Sequence, residues 1–292
     1  MSIAQDRFCI NRKIAPNLNI ESFFRLVKKC GLNKVELRND MPSGKVTDEL
    51  SSAQLNALAE EYDIEIVTIN ALAEEYDIEI VTINALQHFN LPEHRPALLK
   101  EAESMLQQAK EIRCQGIILC PNCSASDRRS AEQKEQDTLD ALVLLAPLFK
   151  KYHVTGLVEP LGFGVSSLRS HLLTQAIIRK SAAPYKMVLD TFHYYLSDIA
   201  QAEFDAHIDV NSIGLVHLSG VEETRLKSTL TDEDRIMLSE QDKLNSKQQV
   251  ANLERLGYQG IYSFEPFSSQ LIIWSEADIE REIRQSIAYL QN

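Results

Sequence analysis

The chain has 292 residues, 44% of them hydrophobic and 25% charged, a balance typical of a globular protein with one sizeable core. Its 42 acidic and 30 basic residues leave a net charge of −12, which opposes contact with nucleic acid or an anionic membrane and suits a small neutral substrate. No apolar run approaches the ~20 residues of a membrane span, and Met1 to Arg7 lack the basic and then apolar pattern of a signal peptide, so the expected location is the cytoplasm.

In chain order, Phe8-Cys9-Ile10 forms a short apolar run. An amphipathic segment from about Ile20 to Cys30 carries Phe23, Phe24, Leu26 and Val27 at helical spacing, and Gly31 supplies its stop. Val35-Glu36-Leu37 reads as a second strand, followed by a polar loop from Arg38. Ser51 or Ser52 can cap the next helix.

Asn56 to Ile69 is then repeated without change from Asn70 to Ile83. Each copy of fourteen residues reads as a helix end plus a strand. Solenoid repeats recur many times and diverge, so two identical copies indicate a recent or engineered tandem duplication. A closed barrel has room for one third strand. We assign it to the second copy, because Asn84-Ala85-Leu86-Gln87-His88-Phe89 then leaves it directly, and the first copy (56–69) becomes extra to the barrel.

Helix is expected from about Glu93 to Ile112, then the uninterrupted strand Gly116 to Cys120, then a helix from about Ala131 to Tyr152 kinked at Pro147. Val154 to Glu159 is the next strand, followed by helix from about Ser167 to Lys180 and the strand Met187-Val188-Leu189, which ends on Asp190. A short helix (about Gln201 to His207), the strand Ile213 to His217, a charged loop (Val221 to Lys243) and helix from Ser246 to Leu256 succeed it. The last strand is Gly260 to Glu265, and the closing helix has Ser275 as cap with Ile279, Ile283, Ile287 and Leu290 as its buried stripe. Eight strands, each followed by a helical segment and joined without a Gly/Pro/Ser-rich linker, predict a single (β/α)8 TIM barrel over 1–292.

Five cysteines (Cys9, Cys30, Cys114, Cys120 and Cys123) form an odd set without framework spacing and read as reduced thiols. Cys120 and Cys123 make a CxxC, but no second pair accompanies it, so they are read as small residues after a strand.

The fifth to eighth strands end in Glu159, Asp190, His217 and Glu265. Taken singly, each can be a helix cap or a loop ion pair; Asp190 in particular is a natural N-cap. Jointly, four ligand-type residues on four successive strand ends point to one site at the carboxyl-terminal rim. Three converging carboxylates repel unless a cation joins them, and three oxygens with one nitrogen suit one divalent ion: Mn²⁺, Mg²⁺, Co²⁺ or Zn²⁺. Glu159 and Glu265 can serve as paired base and acid, removing a proton beside a sugar carbonyl while the ion steadies the enediolate.

The run Val188-Leu189-Asp190-Thr191-Phe192-His193, with Glu159, His217 and Glu265, resembles the xylose isomerase-like sugar isomerase/epimerase barrels, and within them most nearly the inosose isomerases of inositol catabolism. Cys9-Ile10-Asn11, Glu36-Leu37-Arg38, Asn84-Ala85-Leu86, the loop Leu230 to Arg235 and Ser263-Phe264-Glu265 extend the similarity over nearly the whole chain. The resemblance implies that Glu159, Asp190, His217 and Glu265 bind the metal and that Glu159 and Glu265 shuttle the proton. His193 would hydrogen-bond the substrate, and Arg235 would reach it or order its own loop. His88, on the segment leaving the third strand, is a further substrate-binding candidate. The chain departs from the inosose isomerase pattern at Leu218-Ser219-Gly220 and at Ile236 to Asp242, two loops that border the substrate.

The expected function is thus a metal-dependent isomerase or epimerase of a small sugar or inosose; a homo-oligomer is compatible with it. The alternatives are an inosose dehydratase-like lyase, which begins with the same proton abstraction, and a non-catalytic sugar-binding relative. A DNA-repair endonuclease on this barrel would need further rim histidines and a less acidic surface.

Overall fold

The computed structural model describes residues 3–62 and 79–292. Eight parallel strands close into a barrel in sequence order: β1 (Phe8–Asn11), β2 (Lys34–Arg38), β3 (Glu79–Leu86), β4 (Gly116–Leu119), β5 (Thr155–Val158), β6 (Lys186–Asp190), β7 (Ile213–Leu218) and β8 (Ile261–Phe264). Among the described residues the helices are α1 (Ile20–Lys29), α2 (Ser52–Glu61), α3 (Arg95–Glu111), α4 (Ala131–Tyr152), α5 (His171–Ser181), α6 (Thr191–Leu196), α7 (Gln201–His207), α8 (Ser246–Arg255) and α9 (Glu276–Gln291). The TIM barrel expected from the strand–helix rhythm is the observed fold. None of the described helices is long and apolar enough to cross a membrane.

Helix starts follow the chemistry of their caps. Ser51, Ser130 and Ser275 each close a capping box with the residue three positions on. α4 runs from Ala131 to Tyr152 with Pro147 inside it. One missing N–H does not end a helix whose Ala141, Leu142, Leu145 and Phe149 are buried.

β3 is built from the second copy of the repeat, since Glu79 to Ile83 lie in the sheet and pair with β2 and β4. The helical end of the first copy, up to Glu61, belongs to α2. The expectation that the first copy is extra to the barrel falls largely on residues 63–78, outside the described residues.

Among the described residues two apolar layers bear on the site, beside a small cluster around Phe192 and Leu230. The larger lies between strands and helices and includes Leu37, Met187, Leu189, Val216 and Phe264. The smaller lines the barrel interior with Cys9, Ile118, Leu157, Val188 and Leu215. Side chains alternate along a strand with a period of two. The residues two positions beyond these interior ones, Asn11, Cys120, Glu159, Asp190 and His217, therefore form the next inward layer. Glu265 joins them, two beyond the inward-facing Ser263. The pattern that packs the barrel floor thus sets the polar residues at its mouth.

Candidate active site

Glu159, Asp190, His217 and Glu265 converge, each offering one ligand atom within 4.8 Å of the others, and all are buried. The sheet register places them: Asp190 lies beside His217 on β6 and β7, and His217 beside Ser263 on β8. Nδ1 of His217 is 2.8 Å from Glu159 Oε1 and 3.1 Å from Glu265 Oε2.

Asp190 fulfils both readings that the sequence allowed. Its Oδ1 caps α6, accepting from the backbone N–H groups of Phe192 (2.7 Å) and His193 (3.0 Å). Its Oδ2 turns into the cluster, 2.5 Å from Arg235 Nη2. A cap and a ligand use different oxygens, so one role does not exclude the other.

Arg235 is fully buried and its guanidinium spans the site. Besides Asp190 it donates to Glu265 Oε2 (3.0 Å), to the Glu265 carbonyl (3.2 Å), to Asp232 (3.1 Å) and to Ser219 Oγ (3.2 Å). The two loops that depart from the inosose isomerase pattern bring it there. Gly220 and Ile236 pair through reciprocal backbone hydrogen bonds of 2.8 and 2.9 Å. A Cβ on Gly220 would stand 2.7 Å from the Met237 carbonyl, so this approach needs glycine.

His193 is buried on α6, with Phe163 and Phe192 edge-on at ring distances of 5.1 and 5.3 Å, and its Nδ1 has no partner among the described residues. His88 is not brought to the cluster. It is exposed, pairs edge-on with His94, and lines a cavity with Asn122, Asp127 and Arg129.

Several residues without an assigned role complete the site. Glu265 Oε1 accepts from Arg38 (2.7 Å), Asn84 (2.9 Å) and Asn11 (3.2 Å). Glu36 lies beside His217, and the Cys120 thiol is 3.5 Å from Glu159 Oε2. Inward parity on β1, β2 and β3 was the signal available in the sequence for Asn11, Glu36, Arg38 and Asn84; the strand-end rule passed over them because they do not close their strands with a carboxylate or imidazole.

The electrostatics test whether a cation belongs here. Four buried carboxylates (Glu36, Glu159, Asp190 and Glu265) face two guanidiniums, Arg38 and Arg235. Burial by itself opposes a charge on His217, but Glu265, Glu36 and Glu159 outweigh it and raise the imidazole well above its ordinary pKa. Burial would likewise raise Glu265; His217, Arg235 and Arg38 instead hold it below the usual carboxylate range. The donor set thus draws a proton onto His217 to balance its charge, the demand a divalent ion would meet. Three carboxylates and an imidazole fit such an ion.

The family model described as xylose isomerase-like TIM barrel matches residues 24–292. The chain belongs to this family. A xylose isomerase domain-containing protein from Salmonella typhimurium LT2 is 49% identical, with all of both chains covered and a TM-score of 0.90. The IolI protein, solved with a zinc atom, is 19% identical with 97% of each chain covered and a TM-score of 0.83. The 3-keto-D-glucoside 4-epimerase YcjR from E. coli is 15% identical, with 98% of each chain covered and a TM-score of 0.68. These last two are alike in fold. None of the curated proteins compared with the chain matches it.

Proposed function

We propose that this member of the family is a divalent-metal-dependent isomerase or epimerase acting on a small keto-sugar or inosose. The observation that carries the reading is the convergence of Glu159, Asp190, His217 and Glu265, from four successive strands, to within 4.8 Å. The zinc in IolI and the epimerase activity named for YcjR support it from the same fold.

Glu159, Asp190, His217 and Glu265 would hold the ion, whose contribution is to acidify the C–H next to the substrate carbonyl and stabilise the enediolate. Glu159 and Glu265 both approach Nδ1 of His217 and are the groups able to remove and return the proton. Arg235 keeps Asp190 and Glu265 in place through its Nη2. His193 is the candidate donor to a substrate oxygen, with Phe163 and Phe192 fixing its ring.

The test is proton NMR of candidate keto-sugars and inososes in D₂O with Mn²⁺ or Mg²⁺ added. Deuterium entering the carbon beside the carbonyl is the expected result. Loss of water from the substrate would instead establish a lyase. Protein that binds no divalent ion by calorimetry would overturn the reading altogether.

A further inference from the structure

We infer that Glu36 is a positioning residue for the metal: it holds the proton of His217 on Nε2, so that the Nδ1 lone pair faces the ligand carboxylates. The inference rests on the metal-dependent reading above. Nδ1 lies 2.8 Å from Glu159 Oε1, 3.1 Å from Glu265 Oε2 and 4.0 Å from Asp190 Oδ2, so one ring nitrogen addresses all three. The other, Nε2, lies 3.1 and 3.2 Å from the two oxygens of Glu36.

A neutral imidazole carries one N–H and one lone pair, and an ionised carboxylate can only accept. When an ion takes the place of the extra proton, the remaining N–H therefore belongs on Nε2, where Glu36 accepts it, and the lone pair is left at Nδ1 for the cation. A histidine bound to a metal commonly has such an acceptor on its far nitrogen, which sets its tautomer and raises its basicity.

Glu36 is itself held from three other strands. Asn11 Nδ2 on β1 donates at 3.3 Å, and Thr82 Oγ1 on β3 and Ser263 Oγ on β8 also donate to it. Its side chain is completely buried and stands outside the group of four that converge. An acidic residue sealed inside a barrel is costly unless a partner uses its charge. His217 is that partner.

The experiment compares wild type with Glu36→Gln, which keeps the side-chain size and removes the charge. The apparent Kd for zinc, measured by competition with a chelator, is expected to rise by about 10–100-fold in the variant. Melting of the metal-free protein serves as the control for folding. The second readout is nitrogen-15 NMR of histidine-labelled, zinc-loaded protein. It should show His217 protonated on Nε2 and metal-bound at Nδ1 in wild type, with the Nε2 proton exchanging faster in the variant.

An unchanged Kd in Glu36→Gln, or zinc on Nε2 in wild type, would overturn the inference while leaving the metal-dependent function standing. A wild-type protein that takes up no zinc, Mn²⁺ or Mg²⁺ would overturn both. If Glu36→Gln does not fold, the wild-type tautomer decides alone.

Discussion

The two sides of the barrel mouth differ in how fully their polar groups are engaged. On the side formed by β8, β1, β2 and β3, Glu265 accepts from Asn11, Arg38 and Asn84 on one oxygen and from Arg235 on the other. On the side formed by β4 and β5, Glu159 Oε1 meets only His217 Nδ1 among the described residues, at 2.8 Å, and its Oε2 meets the Cys120 thiol at 3.5 Å, a weak donor. Beyond it, His193 Nδ1 and both ring nitrogens of His171 are buried with no partner among the described residues. A carboxylate gripped by two guanidiniums is kept ionised and fixed; one held by a single imidazole and a thiol keeps more freedom to move. On the proposed chemistry Glu159 is then the more mobile of the two proton-transfer groups, and Glu265 acts from a fixed position.

The sharpest way to break this contrast is to neutralise each glutamate in turn. At saturating metal, Glu159→Gln is expected to lower substrate deuterium exchange by about 10²–10⁴-fold. Glu265→Gln should mainly weaken metal binding and regain more of its exchange when metal is raised. Equal losses at saturating metal would show the two sides to be alike.

Arg235 ties the two sides together through Asp190 and Glu265. Removing one member of a buried ion network costs about 3–5 kcal/mol. Arg235→Met should therefore lower the stability of metal-free protein to urea by roughly that amount. Saturating Mn²⁺ should restore part of it, because the ion neutralises the same carboxylates.

On the sparsely bonded side, burial and then the nearby His193 depress His171 to a pKa of about 3. The unfolded ring titrates near ~6.5. Between those values the unfolded chain binds more protons, so stability falls as pH drops from about 6.5 toward about 3 and is unaffected above that window. Acidification from pH 7 to 5 should cost about 2 kcal/mol through this residue. His171→Leu should flatten the acid limb in urea titrations at those pH values. An unchanged slope would mean that the ring has found a partner.

The smallest effect is expected at Cys120. Burial and then Glu159 raise its thiol well above the ordinary range, so it remains a protonated, unreactive donor. Cys120→Ala should change exchange by less than about tenfold, within the worth of one weak hydrogen bond. A larger loss would mean that Glu159 is held more firmly than the 3.5 Å contact implies.

Much of this was legible in the sequence because the barrel reports itself twice, through its strand–helix rhythm and through where its strands stop. Asp190, His217 and their neighbours could be picked out as the last inward residues of their strands. Glu36 was less visible because it lies inside its strand rather than at its end, so that strand parity was the one signal for it. Arg235 was ambiguous for another reason: it reaches the cluster through a loop whose course depends on the Gly220–Ile236 pairing, a contact of long-range geometry. Cys120 drew attention through its spacing to Cys123, whereas the relevant relation is to Glu159, thirty-nine residues away.

The eight residues of β3, Glu79 to Leu86, occur letter for letter at Glu65 to Leu72. The residues of β3 that serve the site, Thr82 and Asn84, thus have identical counterparts at Thr68 and Asn70. Cutting out either copy of fourteen residues yields the same 278-residue chain, so the two excisions are one genotype. In the sequence the junction falls between α2 and β3, and the β3 residues that serve the site lie towards the carboxyl-terminal end of that strand. A gene carrying this repeat can contract by in-frame slippage, and the contracted protein should bind zinc with unchanged affinity.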